Sequence, residues 1–144
     1  MSIPYLLTPL KKINVEGGDV LHAIKKNDAG FVDFGEAYFS IIESGAIKAW
    51  KRHRKMTLNL VVPIGKIKFV MCSSLEEKNP KFNEVILSTN NYFRLTVPPM
   101  VWLGFQGLSN ELSILLNVSD IPHDPIESDR INFNDIEFDW RLSK

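Results

Sequence analysis

Three observations predict an all-β domain, a sandwich or a barrel. Apolar and polar side chains alternate with period two in short runs, turn formers recur at roughly 8–12-residue spacing, and no long helical stripe competes with them. The clearest run is Lys66-Ile-Lys-Phe-Val-Met71, which puts Ile67, Phe69 and Met71 on one face and both lysines on the other, the mark of a half-buried strand. Similar runs predict strands over 20–24, 37–42, 47–50, 58–62, 67–71, 84–87, 93–97, 104–108 and 113–118. Asn27-Asp-Ala-Gly, Glu43-Ser-Gly, Pro63-Ile-Gly, Lys78-Asn-Pro, Thr89-Asn-Asn, Pro98-Pro and Leu108-Ser-Asn separate them as turns. Ser109 could cap a helix through Val118, but the apolar run there is too short for a stable one, so a strand is expected. The tail from Ile121 is acidic yet carries Ile131, Phe133, Ile136, Phe138 and Trp140, so it is expected to pack against the β domain.

At 144 residues the chain is read as one domain, long enough to bury a core without staples. Lys+Arg and Asp+Glu balance at 17 each, which gives no global field for a nucleic-acid or membrane binder. Pro63, Lys66 and Lys68 interrupt the longest apolar stretch, so no membrane span is expected. The first residues have no charged region before their apolar run and hold two prolines, unlike a signal peptide. A single cysteine, Cys72, forms no internal disulfide and suits a reducing compartment, so a cytoplasmic location is expected.

Gly45-Ala-Ile-Lys-Ala-Trp-Lys51-Arg-His53 is the segment that bears on chemistry. Side chains two apart on a strand share a face, so Lys51 and His53 are expected to project together. His53 suits a general base beside a ketone, with the Lys51 ammonium stabilising the enolate oxygen, or a desolvated Lys51 could itself be the base. Equally, both could lie in a basic solvated turn with Arg52, Arg54 and Lys55. Lys48, Arg52, Arg54 and Lys55 could grip a diphosphate or be a charged edge that deters strand pairing. Tyr38, Trp50 and Trp102 offer an aromatic wall for a base or sugar ring, or core. Asp135 could brace a turn.

Three stretches resemble the cupin superfamily, and within it the sugar-nucleotide 3,5-epimerases that act on dTDP-4-dehydro-6-deoxyglucose. They are Gly45-Ala-Ile-Lys-Ala-Trp-Lys51; Leu87-Ser-Thr-Asn-Asn91 through Leu95-Thr-Val-Pro98 to Gly104-Phe105 and Leu108-Ser109; and Pro125-Ile-Glu127 with Ile131-Asn-Phe-Asn-Asp135. Together they span roughly residues 17–140 in family order. The resemblance implies a single jelly-roll domain, commonly a homodimer, that serves synthesis of surface-polysaccharide sugars. The family's base histidine falls on Lys51, with His53 two residues on, and its phosphate-contacting arginine on Lys48. Its lysine falls on Leu58 or, with a one-residue gap, Asn59; its acid tyrosine falls near Asn117, and its histidine-orienting carboxylate on Asp135. Lys51-x-His53 also resembles the His-x-His pair of the related sugar 3,4-ketoisomerases.

No catalytic metal is expected, because a cupin metal site needs several histidines where this chain has Lys51, His53, Leu58 and no histidine between Pro98 and Asn117. Gly17-Gly18 lacks a phosphate-loop or dinucleotide pattern, so no cofactor is expected. The leading reading is an epimerase or isomerase of a nucleotide-linked 4-keto-6-deoxyhexose. In it His53 or Lys51 moves the proton, Asp135 orients the imidazole, Lys48 and Arg52 contact phosphates, and Tyr38, Asn59 and Asn117 contact substrate. The other reading is a non-catalytic sugar-nucleotide-binding subunit. A homodimer is expected because small jelly rolls leave strand edges to cover, with the N-terminal segment, residues 1–15, crossing to a partner.

Overall fold

The computed structural model describes residues 3–141. Twelve strands run through them: β1 (Leu6–Pro9), β2 (Lys12–Ile13), β3 (Val20–Leu21), β4 (Glu36–Ile42), β5 (Ile47–His53), β6 (Leu58–Ile64), β7 (Lys66–Cys72), β8 (Asn83–Ser88), β9 (Phe93–Val97), β10 (Trp102–Gly107), β11 (Ser113–Ser119) and β12 (Ser128–Arg130). A single 3-10 turn, Phe133–Asp135, follows β12. Two five-stranded antiparallel sheets form the jelly roll, in the orders β1-β9-β6-β11-β4 and β12-β5-β10-β7-β8, and β2 pairs with β3 as a separate ribbon.

Alternation explains the core. Leu58, Leu60, Val62, Leu95, Val97 and Leu115 of the first sheet meet Ile67, Phe69, Met71, Val85 and Leu87 of the second. Each such fully buried side chain stabilises by about 1.5–3 kcal/mol. The turn from β6 to β7 uses Gly65 at φ +88°, where a Cβ would lie 2.1 Å from Ser113 Oγ. Residues 113–119 form a strand, as their pattern predicts, and extended pairing with both β4 and β6 replaces any helix there.

Lys68 departs from expectation. The pattern of β7 predicts a solvated lysine face, yet Lys68 is fully buried. The reason lies in the tail, which lays Ile131, Phe133, Ile136, Phe138 and Trp140 over the outer face of the second sheet against Trp50, Val70, Cys72, Leu75 and Trp102. Lys68 Nζ donates to the Trp140 carbonyl at 3.1 Å and lies about 6 Å from the Phe138 and Trp140 rings.

The outer face of the first sheet also carries a buried charge. Arg94 donates from Nε to Asn59 Oδ1 at 3.0 Å, and its other nitrogens reach the Ala23 and Ala29 carbonyls and Asp28 Oδ2. This cluster fastens the segment 22–31 to the sheet. Arg94→Ala would strand Asp28 and Asn59 without their shared donor and is expected to cost about 3–5 kcal/mol. Urea unfolding followed by intrinsic tryptophan fluorescence checks this.

Candidate active site

Residues of both sheets line a cavity of about 480 Å³. Leu58, Leu60 and Leu115 continue the core into its floor, while Leu103 and Phe105 close it from β10. Its polar groups are Tyr38 and Ser40 on β4, Asn117 on β11, Lys48, Lys51 and His53 on β5, and Arg130 with Asn132 from the tail. Lys51 and His53 do share the cavity face.

Lys48 lies three residues from Lys51, so simple alternation would place it on the other face. A bulge in β5 reverses this. Lys51 pairs with Leu103 and Lys48 with Phe105, so Ala49 and Trp50 together oppose Gly104. Gly104 has no room for a side chain, since a Cβ there would meet Ala49 Cβ at 2.6 Å. The bulge turns Trp50 out to the tryptophan cluster and brings both lysines to the cavity. Lys48 Nζ donates to the Ile41 carbonyl at 3.2 Å, which bridges from the second sheet to the first.

β12 completes the wall by pairing with β5, with Ser128 opposite His53, Asp129 opposite Arg52 and Arg130 opposite Lys51. Just before it, Glu127 is buried, and its Oε1 lies 2.7 Å from His53 Nδ1. Its Oε2 accepts the backbone N–H groups of Lys55 and Met56, both at 3.0 Å. Burial would raise the Glu127 carboxyl, but the hydrogen bonds from His53 and those two backbone groups outweigh it and hold the carboxyl below the usual range. Glu127 is therefore an ionised acceptor, so Nδ1 carries the proton it receives. In a neutral ring, Nε2 then holds the lone pair.

Lys51 is half-buried, and Arg130 faces it across the ladder. Burial first and then the Arg130 charge push its amine below the usual lysine range, with Glu127 acting the other way. Tyr38, which pairs with Asn117 in the sheet facing Lys51, has its phenol pushed up by burial and then by Glu36, so it stays protonated and can donate. Asn117 Nδ2 donates to Ser40 Oγ at 3.0 Å.

Three expected site residues lie elsewhere. Arg52 points to the outer face of β5, where it donates twice to Asp129 Oδ2 and stacks on Trp102 at 4.7 Å, so it is no phosphate contact. Asn59 sits between two cavity-facing leucines and points outward, with Oδ1 taken by Arg94 and Thr96 and Nδ2 donated to the Gly30 carbonyl. Asp135 is exposed in the 3-10 turn, and the imidazole is oriented by Glu127 instead. Glu127, Arg130, Ser40 and Asn132 are cavity or cavity-backing residues that sequence reasoning missed. His22 and His123 do not reach the cavity. Among the described residues no group of three His, Cys, Asp or Glu side chains is placed to hold a metal, and no helix is long and apolar enough to cross a membrane.

No protein-family model and no curated protein matches the chain. Solved structures do. A dTDP sugar isomerase from Desulfovibrio desulfuricans G20 superimposes with a TM-score of 0.88 and 35% identity over 98% of this chain and 93% of that one. A dTDP-4-dehydrorhamnose 3,5-epimerase from Bacillus anthracis str. Ames, solved with TDP and pyrophosphate, gives 0.80 at 18% identity over 98% and 87%. A sugar 3,4-ketoisomerase from Thermoanaerobacterium thermosaccharolyticum, solved with TDP, gives 0.75 at 18% over 93% and 92%. The last two share the fold. The first adds sequence agreement over nearly the whole of both chains, and by it this chain belongs to the dTDP-sugar isomerase family.

Proposed function

We propose that the chain isomerises or epimerises a nucleotide-linked 4-keto-6-deoxyhexose by proton transfer at a carbon next to the ketone, in a pathway to surface-polysaccharide sugars. The observation that carries this reading is the oriented His53–Glu127 pair facing a closed-floored cavity. Carbon acids beside a ketone need a base held at the right tautomer and something to receive the charge that moves onto oxygen. His53 Nε2 is the base. Lys51 receives the carbonyl, and Tyr38, on the facing sheet, is the proton donor. Lys48 and Arg130, exposed at the mouth, suit the diphosphate, while Asn117 and Ser40 suit sugar hydroxyls. The oriented pair weighs against a non-catalytic binding subunit, which would have no need of a buried carboxylate behind an imidazole.

We place the protein in the cytoplasm, which its single unpaired and buried cysteine suits. We also propose a homodimer. The edge strand β4 exposes Phe39 and Ile41, and β1 exposes Leu6 and Leu7. β1 pairs with β9 of its own chain, and the same ladder with a partner's β9 is the route by which residues 1–15 exchange.

Incubation with dTDP-4-keto-6-deoxyglucose in heavy water is expected to place deuterium at C3, C5 or both. His53→Ala should lower the exchange rate by about a hundredfold or more. No exchange by the wild type, with nucleotide binding retained in calorimetry, would reject the enzyme reading in favour of the binding subunit.

Glu127→Gln keeps the shape of the side chain and removes its charge. Because the Glu127 carboxyl is held low in the folded protein, it stabilises the fold above its unfolded pKa and loses that contribution as pH falls through the folded one. The variant is expected to be less stable than wild type at pH 7. The two curves should converge below the usual carboxylate range in thermal melts taken across pH.

Sedimentation equilibrium at micromolar concentration is expected to give twice the chain mass. A monomer there would remove the dimer and the exchange of residues 1–15 together.

A further inference from the structure

Three cations face one cavity, and their surroundings differ. Arg130 presents a guanidinium, a delocalised cation with no lone pair to offer a carbonyl carbon. Lys48 is exposed and already donates to the Ile41 carbonyl. Lys51 stands between them on β5, half-buried, with Arg130 directly opposite in the ladder and Leu103 on its other side. Its Nζ makes no hydrogen bond or ion pair among the described residues, and the one nearby carboxylate, Glu127, has both oxygens engaged. Like charges directly across a ladder are destabilising, and the proton that can leave is the one on Lys51. An amine so placed is more than a fixed positive charge. Desolvation and a cationic neighbour are the conditions that make a lysine a nucleophile toward carbonyl carbon.

We propose that Lys51 is a Schiff-base nucleophile. Its amine, set on the cavity face of β5 across from Arg130 and two residues from His53, forms an imine with the ketone of the sugar. The proposal rests on the ketose reading above and names how Lys51 engages that ketone. The nitrogen lone pair adds to C4, the carbonyl electron pair moves to oxygen, and that oxygen takes one of the two protons on the nitrogen. The hydroxyl then leaves as water with a second proton, donated by the Tyr38 phenol, and the C=N bond forms as a protonated imine. The imine draws electrons more strongly than the ketone did. His53 takes the proton from C3 or C5, the pair enters the C–C bond as an enamine, and the Tyr38 phenol, which has regained a proton from solvent, protonates that carbon from the facing sheet to restore the imine. Water hydrolyses it, returning the ketone to C4 and the free amine to Lys51. Nothing is oxidised or reduced overall.

This chemistry has a consequence for the product. Migration of the carbonyl to C3 would leave nitrogen bonded to C4, so turnover through the imine keeps the ketone at C4. It inverts C3 or C5 instead.

Trapping the intermediate tests the proposal. Wild-type protein is incubated with dTDP-4-keto-6-deoxyglucose and sodium cyanoborohydride, digested, and mapped by mass spectrometry. The expected adduct sits on Lys51, with the mass of the sugar nucleotide less one oxygen. In ¹⁸O water the C4 oxygen should exchange faster with wild type than with Lys51→Arg, which keeps the charge but forms no imine. A second probe is independent of the sugar: pyridoxal 5′-phosphate followed by borohydride should label Lys51 ahead of the surface lysines. Deuterium exchange without the adduct or the ¹⁸O exchange overturns the Schiff base and leaves the proposed function standing, as does a product with its carbonyl at C3. Absence of deuterium exchange rejects the proposed function. In that case preferential pyridoxal labelling still supports a nucleophilic Lys51, and uniform labelling overturns it.

Discussion

Glu127 carries a negative charge into the interior, and the rest of the site depends on how that charge is satisfied. A buried carboxylate without partners would be too costly to keep ionised. Here the chain from His53 to Met56 curls round it, so one oxygen receives an imidazole N–H and the other two backbone N–H groups. The Arg54 N–H reaches the Glu127 backbone carbonyl at 2.9 Å, so side chain and main chain are held by the same turn. That single anchorage starts β12 in register with β5. From the register follow the positions of Arg130 opposite Lys51 and of Ile131, whose N–H and carbonyl both bond to Trp50.

The outside of the same ladder is held as firmly as its inside. Asp129 takes two donors from Arg52 on one oxygen and two from Arg54 on the other. Exposed pairs of this kind contribute little singly, but a carboxylate gripped by two guanidinium forks fixes direction as well as charge. Beyond Ile131 the tail leaves the ladder and crosses the sheet, with Trp140 against Trp50 and Phe138 at ring-centroid separations of 5.4 and 4.9 Å. Trp140 also packs toward Gly104, where the bulge in β5 needs space. The tail therefore supports the bulge that turns Lys48 and Lys51 to one side.

Much of this is legible in period two. The strands, the shared face of Lys51 and His53, and a tail that packs all follow from alternation and apolar content. The same alternation places Arg52 and Asn59 away from the cavity, since each lies between two inward-facing residues; Arg52 is drawn in only by its membership of a basic cluster and Asn59 only by alignment to a family motif. What period two does not supply is where the pattern breaks or where distant segments meet. Lys48 reaches the cavity because of a bulge, for which Gly104 is the one local sign. Glu127 and Asp135 are both carboxylates in acidic stretches, and 74 residues separate Glu127 from His53. Choosing between them needs the register of an edge strand three residues long. Lys68 reads as solvated in sequence because its cover comes from the far end of the chain.

Charge distribution links the fold to what the cavity can hold. The molecule is neutral overall, yet the cavity gathers Lys48, Lys51 and Arg130, and the carboxylate behind it is already bonded through both oxygens. Lys68, buried just as fully as any core residue, shows how this protein accommodates a cation away from the cavity, with partners that include a carbonyl, two ring faces and the Glu84 carboxylate at 4.0 Å. Lys51 is given none of these among the described residues. A fold selected for stability alone would not set Lys51 against Arg130 in facing positions with no anion between them, because the repulsion opposes the very ladder that holds Glu127. Loss of the Lys51 proton relieves that repulsion, so the contact that opposes the ladder is the same one that leaves the amine free to engage a carbonyl.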